Sequence, residues 1–333
     1  MSEFYKDKKI LITGGTGTIG SNLVKRLLSD NPKVIRIFSR DEFKQFEMAQ
    51  EFQEHASQLR FLIGDVRDQG RLMRAMEDID YVFHCAAMKH VPACEYNPFE
   101  AVQTNIIGTQ NVIHAAIENK VKKVLFTSTD KAISPTNTYG ATKLTGERLI
   151  SAAELHKGAK STIFSSVRFG NVMGSRGSVI PLFKKQILEQ RKITITDPNM
   201  LRYMMTPDQA IELILKANEQ AQGGEVFVLK MPLIRMADLA EVVIEEVKGQ
   251  YSITEHISIE EIGLRPGEKR FEELMTDDEA RMALETEELY IIIPQFGGGS
   301  REYSPSSIDG VQIPNRSADQ VIPKEMIRKW IRR

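Results

Sequence analysis

The sequence predicts an α/β fold: a doubly wound parallel sheet joined to a smaller mixed α/β C-terminal domain. Three observations carry this. Short apolar runs alternate with helical patterns along the first half of the chain, a glycine triplet stands between the first strand and the first helix, and 333 residues are enough for one large α/β domain with a second beside it.

The elements follow in order. Residues 9–13 (Lys-Ile-Leu-Ile-Thr) form an apolar run that ends in glycines, as a buried parallel strand does. From Ile19 the apolar positions Leu23, Val24, Leu27 and Leu28 fall at helical spacing, and Asn31-Pro32 stops the helix. Residues 34–38 give the next strand and close a βαβ unit. Runs at 59–63, 81–84 and 124–127 continue the series, and the clearest helix between them covers 99–119. After Gly170 the rhythm loosens. Strand-like pieces at 193–195, 226–228 and 290–293 lie among helices and turns. The expected division is a dinucleotide-binding domain over 1–170, with a returning segment near 200–225, and a discontinuous smaller domain over 171–333. The stretch 297–319, rich in Gly, Ser, Pro and Asp, reads as a long loop covering a site or a subunit contact.

Composition excludes several functions. Apolar residues at 41% and charged residues at 27% suit a globular chain, not a disordered one. Lys and Arg number 44 against 45 Asp and Glu, a net charge of −1, so no basic excess points to nucleic acid or an anionic membrane. No apolar run approaches the roughly 18 residues of a spanning helix. The N-terminal residues carry no signal-peptide core, and the expected compartment is the reducing cytoplasm. Cys85 and Cys94 are the only cysteines, which leaves no disulfide framework or zinc cluster. His84 and His90 have no ligand cluster beside them, so no metal is expected, and Cys85 reads as core packing.

Gly14, Gly17 and Gly20 frame the loop Gly14-Gly15-Thr16-Gly17-Thr18-Ile19-Gly20. In a Rossmann-type domain the first glycine permits the tight turn, the second lets backbone approach a pyrophosphate, and the third lets the helix pack closely. The helix N-terminus then offers N–H groups to the phosphates. About 20 residues beyond the loop, an acidic residue would take the ribose hydroxyls of NAD. The chain has Ser39-Arg40 there, then Asp41 and Lys44. A guanidinium pairs with a 2′-phosphate, so NADP is favoured, with Asp41 keeping NAD open. Asp65-Val66, after the third strand, stands where an adenine edge is read or a helix is capped.

Tyr139 and Lys143 form a Y-x-x-x-K pair, one face of one helix. An ammonium beside a phenol favours the phenolate and lowers the tyrosine pKa, which makes Tyr139 a candidate base for a substrate hydroxyl.

With these pieces the chain resembles the extended short-chain dehydrogenase/reductase family over essentially its whole length. His84-Cys85-Ala86-Ala87, Thr104-Asn105 and Ser128-Thr129 complete the match, with Ala86, Ala87, Thr104 and Asn105 on the cofactor side. The resemblance implies that Thr129 hydrogen-bonds the reacting oxygen, that Tyr139 removes its proton, and that Lys143 holds the nicotinamide ribose and tunes Tyr139. Within the family, Thr129-Asp130-Lys131 is similar to the UDP-N-acetylglucosamine 4,6-dehydratases of the short form, where other 4,6-dehydratases place a glutamate at the lysine position. Met88-Lys89-His90-Val91-Pro92, Arg168-Phe169-Gly170-Asn171-Val172, the run from Ser175 to Pro181, Ile195-Thr196-Asp197 and Arg265-Pro266-Gly267-Glu268-Lys269 match as well.

The implied reaction explains why two sets of groups are needed. The C5 proton of a hexose is not acidic until C4 is a ketone. A base must then remove it while an acid helps the C6 hydroxyl leave as water, and the cofactor's hydride returns to C6. Tyr139, Thr129 and Lys143 are the oxidation set, and Asp130 and Lys131 the acid–base pair. Asp130 must be protonated, and Lys131 must be neutral, brought down by burial beside another cation. Neighbours in sequence converge only where the backbone leaves regular structure. By resemblance Asn171, Arg176, Gly177, Ser178, Val179 and Thr196 meet the nucleotide, Arg202 and Arg265 its phosphates, Glu268 its ribose or uracil, and Lys89 the sugar or cofactor. Pro and Gly fix the turn around Arg265. A homo-oligomer, dimer or hexamer, is also implied. Tyr139 matches inverting members, which favours the L-arabino product over the D-xylo one. A nucleotide-sugar epimerase on the same fold is the alternative, and it would have no use for an acid–base pair directed at C6.

Overall fold

The structure is a computed structural model that describes residues 3–175, 177–265, 267–294, 303, 308–309 and 321–332. The first six strands alternate with helices: β1 (Lys9–Thr13), α1 (Thr18–Leu28), β2 (Val34–Ser39), α2 (Glu42–Glu51), β3 (Leu59–Ile63), α3 (Gln69–Ala75), β4 (Tyr81–His84), α4 (Val91–Tyr96), α5 (Pro98–Val102), α6 (Gly108–Glu118), β5 (Lys123–Thr127), α7 (Thr138–His156) and β6 (Ile163–Arg168). They lie in the order β3-β2-β1-β4-β5-β6, all parallel. Strand order reverses between β1 and β4, and the crevice outside the carboxyl ends of those strands is where such sheets hold ligands.

The helix expected over 99–119 is broken into α5, a five-residue π-helical turn at Gln103–Ile107, and α6. Wide turns of this kind recur at functional sites, and this one carries Thr104 and Asn105.

The rest of the chain comprises β7 (Asn171–Val172), α8 (Val179–Gln190), β8 (Lys192–Ile195), β9 (Leu201–Met205), α9 (Pro207–Gln220), β10 (Val226–Leu229), β11 (Leu233–Arg235), α10 (Met236–Tyr251), β12 (Ser258–Glu261), α11 (Asp277–Met282), β13 (Ala283–Glu285), β14 (Leu289–Ile292), β15 (Ile308–Asp309) and α12 (Lys324–Ile331). Here the structure differs from the expected division. The strands foreseen at 226–228 and 290–293 join the large sheet: β10 pairs parallel with β6, and β14 antiparallel with β10. Their side chains are buried, and β6 offers them an edge that would otherwise stand unpaired. The helix α9 packs on α1 and against β5 and β6, sealing one face. The smaller domain is left with α8, α10, α12, a three-stranded sheet β11-β9-β7 and the pair β12-β8, around a separate core that includes Phe183, Ile187, Ile234 and Val243. Most of 297–319 lies outside the described residues.

One buried charge in the large sheet is matched by two carboxylates. Arg168, fully buried at the end of β6, donates to Glu147 of α7 and Glu279 of α11 at 2.7–3.1 Å. Breaking such a pair strands a charge, so this network ties the last segment of the chain to the sheet.

Candidate active site

One cleft of about 960 Å³ runs from the switch point to the smaller domain. Its floor begins at the glycine loop. Gly14 has φ +68°, and a Cβ there would lie 2.8 Å from the Ala86 backbone, so only glycine lets the β1 loop and the β4 loop meet. Gly17 caps α1 and brings no side chain to the start of the helix, which lies on the cleft. Thr16, Thr18, Ile19 and Gly20 line the same wall.

At the end of β2, Ser39, Arg40, Asp41 and Lys44 face the cleft. Asp41 is committed elsewhere: its carboxylate accepts the Lys44 backbone N–H at 3.0 Å as the cap of α2, and pairs with the Lys44 ammonium. Arg40 is exposed and stands 3.5 Å from Asp65, whose carboxylate also accepts the Arg67 N–H. Val66, Ala86, Ala87, Lys89 and Thr104 complete this half. Asn105, expected on the cofactor side, is instead buried behind the wall and grips both backbone groups of Met88, so it shapes the β4 loop without facing the cleft. Cys85 lines the cleft and is not pure core, and burial pushes its thiol up to about 12.

The reacting end is built by α7 and the turn after β5. Asn137 caps α7 by accepting the Gly140 N–H at 2.8 Å, and it also donates to the Gly267 carbonyl at 3.0 Å. The Arg265–Glu268 turn is thereby fastened to the helix start that carries Tyr139. Burial raises the Tyr139 phenol to about 12, while the Lys131 charge and a hydrogen bond with Thr129 pull the other way. Lys143 lies four residues further along α7 and lines the same cleft. Its ammonium lies 3.9 Å from the Phe126 ring centre, and burial lowers it to about 7 against the pull of Cys85 and Glu147.

The chain leaves regular structure directly after β5. Residues Asp130–Ala132 form a 3₁₀ turn, pinned by the Asp130 N–H to the Phe169 carbonyl at 3.1 Å. This turn lets sequence neighbours converge: Lys131 Nζ donates to Asp130 Oδ1 at 3.0 Å and to Asn171 Oδ1 at 3.2 Å, and Thr129 Oγ1 donates to Asp130 Oδ1 at 2.9 Å. Thr129, Lys131, Tyr139 and Lys143 line the cleft, whereas Asp130 is buried just behind them.

The expectation of a neutral Lys131 is overturned. A cation does stand near it: Lys89 is held down by burial and by Lys131. Burial would lower Lys131 too, but Asp130 and Glu272 outweigh it, and the ammonium is held well above its ordinary value. Lys131 rests charged. Glu272 was not foreseen at all. It follows the Arg265–Lys269 motif by three residues and carries no motif of its own, yet it is buried and its Oε1 lies 2.9 Å from Lys131 Nζ. Burial, then the Glu272 carboxylate, push Asp130 well above the carboxylate range.

On the second domain, Asn171, Gly177, Ser178, Val179, Arg202, Arg265 and Glu268 line the cleft. At Gly177, φ is +70° and a Cβ would lie 2.2 Å from the His90 ring, so this loop closes directly on the β4 side. Arg202 is buried and spends its donors on the Leu201, Lys269 and Arg270 carbonyls, beside Glu268 and Glu272. A free phosphate contact is not how it rests. Thr196 does not reach the cleft; Thr194 and Ile195 stand there instead, because β8 ends at Ile195 and the chain turns away. Arg176 lies outside the described residues. Among the described residues, no cluster of three or more His, Cys, Asp or Glu can hold a metal, and no helix is long and apolar enough to cross a membrane.

This geometry can be set beside known proteins. A family model described as polysaccharide biosynthesis protein matches residues 10–294. The chain belongs to that family. It is 47% identical to a UDP-N-acetylglucosamine 4,6-dehydratase (inverting) of Campylobacter jejuni, over 88% of this chain and 84% of the relative. It is 41% identical to a UDP-glucose 4-epimerase of Rickettsia bellii, over 92% and 88%. Among solved structures, Pen from Bacillus thuringiensis is 55% identical, with a TM-score of 0.90 over 98% of this chain and 99% of that one.

Proposed function

We propose that this protein removes water from UDP-N-acetylglucosamine, giving a UDP-2-acetamido-2,6-dideoxy-4-keto-hexose with C5 inverted. The observation that carries the reading is the 3₁₀ turn that gathers Asp130 and Lys131 beside Thr129 and Tyr139, in a chain 47% identical to a dehydratase of that substrate. An epimerase needs the Tyr139 set but has no work for an acid–base pair.

A bound nicotinamide dinucleotide would accept hydride from C4 and return it to C6. The residues fit such a group: a helix start capped by glycine on the cleft, the close approach at Gly14, and Tyr139 with Lys143 on one wall. The N–H groups of α1 would hold the pyrophosphate. Arg40 would pair with a 2′-phosphate, and NADP is favoured because the Asp41 carboxylate already serves as a helix cap. Tyr139 takes the C4 hydroxyl proton as its own phenol proton passes on toward Lys143, with Thr129 holding the oxygen. Lys143 near neutrality, one turn along α7, can hand a proton on or hold ribose hydroxyls. Asp130 and Lys131 then move the protons of the elimination. Asn171 and the Gly177–Val179 backbone face the nucleotide, with Arg265 for phosphate. An assembly of copies belongs to this reading, supported by the exposed Tyr96 and Phe99 on neighbouring helices; a monomer in sedimentation at micromolar concentration would refute it.

Proton NMR of purified protein with UDP-N-acetylglucosamine in deuterated water, with no added reductant, tests the reading. A 4-keto-6-deoxy sugar carrying deuterium at an inverted C5 is expected. The name of the Rickettsia relative motivates the second reading: an isomer at C4 that keeps its C6 hydroxyl would make the protein an epimerase.

A further inference from the structure

The acid–base pair poses a problem that the structure also resolves. Elimination needs a protonated acid and a neutral base, and Lys131 rests as an ammonium bridging two buried carboxyls. Asp130 Oδ2 and Glu272 Oε2 are both buried and, among the described residues, have no hydrogen-bond partner, while the Lys131 ammonium holds both carboxyls at 3.0 and 2.9 Å. Two buried carboxyls that share one ammonium resist ionising together, and a proton on one of them supplies a donor that the unpartnered oxygens lack.

We infer that Glu272 is the third member of the acid–base set, a positioning residue that keeps one proton on Asp130 and takes the ammonium proton from Lys131 across their 2.9 Å bond. The inference rests on the dehydratase reading for its substrate. The protons balance. At rest the set is Asp130–COOH, Lys131–NH₃⁺ and Glu272–COO⁻. Transfer from Nζ to Oε1 gives a neutral amine and two protonated carboxyls, with no change in total charge. Lys131 then takes the C5 proton, Asp130 gives its proton to the departing C6 hydroxyl, and Glu272 returns its proton to Asp130. The set ends as it began.

The groups facing it are few. Tyr139 lies toward Asp130, Lys89 toward Lys131, and Arg202 stands 3.5 Å behind Glu272. Although burial opposes it, Lys131, Asp130 and Arg202 hold Glu272 ionised at rest. The resting state is therefore defined, and proton transfer to Glu272 belongs to the substrate complex.

Glu272→Gln keeps size and polarity but cannot take a proton. On the 4-keto intermediate, C5 exchange with solvent should fall by about 10²–10⁴-fold near neutral pH and recover as pH rises, while C4 oxidation is kept. Glu272→Asp should restore part of the exchange. An equal loss of oxidation and exchange, with no change in pH profile, would reduce Glu272 to a structural role and overturn the inference. A second measurement needs no substrate. Infrared titration should find a protonated carboxyl at neutral pH in the wild type, absent in Asp130→Asn and titrating at lower pH in Glu272→Gln. An unchanged midpoint in Glu272→Gln would overturn proton sharing even if the wild type proved to be an epimerase.

Discussion

Lys131 and Lys143 lie twelve positions apart on opposite sides of Tyr139, and their surroundings pull them in opposite directions. Lys143 lies over the Phe126 ring with no carboxylate in ion-pair contact among the described residues, and burial brings its ammonium down to about 7. Lys131 is wedged between Asp130 and Glu272 and is held up. Burial alone therefore does not decide the state of a lysine; the number of carboxylates sharing the pocket does. The cleft thus places a lysine able to change charge near neutrality on the oxidation side, and a firmly charged one on the elimination side.

The hardest test removes the residue between them. Tyr139→Phe should abolish C4 oxidation, a loss of about 10²–10⁴-fold, visible as absent nicotinamide reduction in single-turnover absorbance. If reduction survives at the wild-type rate, the two sides do not share Tyr139 as divided here. Lys131→Ala should leave that reduction intact and block elimination by a similar factor, trapping reduced cofactor with a 4-keto sugar that retains its C6 hydroxyl. Completed turnover at the normal rate would show that the charged lysine is not part of the base.

A smaller effect belongs to the cofactor end. Arg40→Ala should weaken NADP binding by about 1.5–3 kcal/mol and leave NAD nearly untouched. Equal wild-type affinity for both by calorimetry would remove the argument.

The mildest test sharpens the comparison through stability. Lys143 has a folded pKa of about 7, below its unfolded value, so between that pH and the unfolded pKa the unfolded chain binds more protons. Stability from this group rises with pH through that window, by at most about 1.4 kcal/mol per pH unit. Denaturant unfolding of cofactor-free wild type and Lys143→Met should diverge accordingly from about pH 7 upward. Lys131, raised instead, contributes stability that is present below its unfolded pKa and is lost as pH climbs through its folded one. Lys131→Met should therefore show the opposite trend in the alkaline range.

Much was legible in the chain. The glycine spacing, the apolar runs and the Y-x-x-x-K pair are local, and local patterns fix strands, turns and helix faces because backbone sterics and side-chain period act over a few residues. The 130–132 turn was legible too, as the condition under which Asp130 and Lys131 can meet. Other features depended on long-range packing. The strands at 226–229 and 289–292 joined the large sheet because β6 needed a partner, which no local pattern reports. Glu272 reached Lys131 across more than a hundred positions, with no local motif to mark it. The proton states of Lys131, Lys143 and Tyr139 followed suit, since a pKa responds to every charge and apolar ring within a few ångströms, and only the folded chain brings those neighbours together.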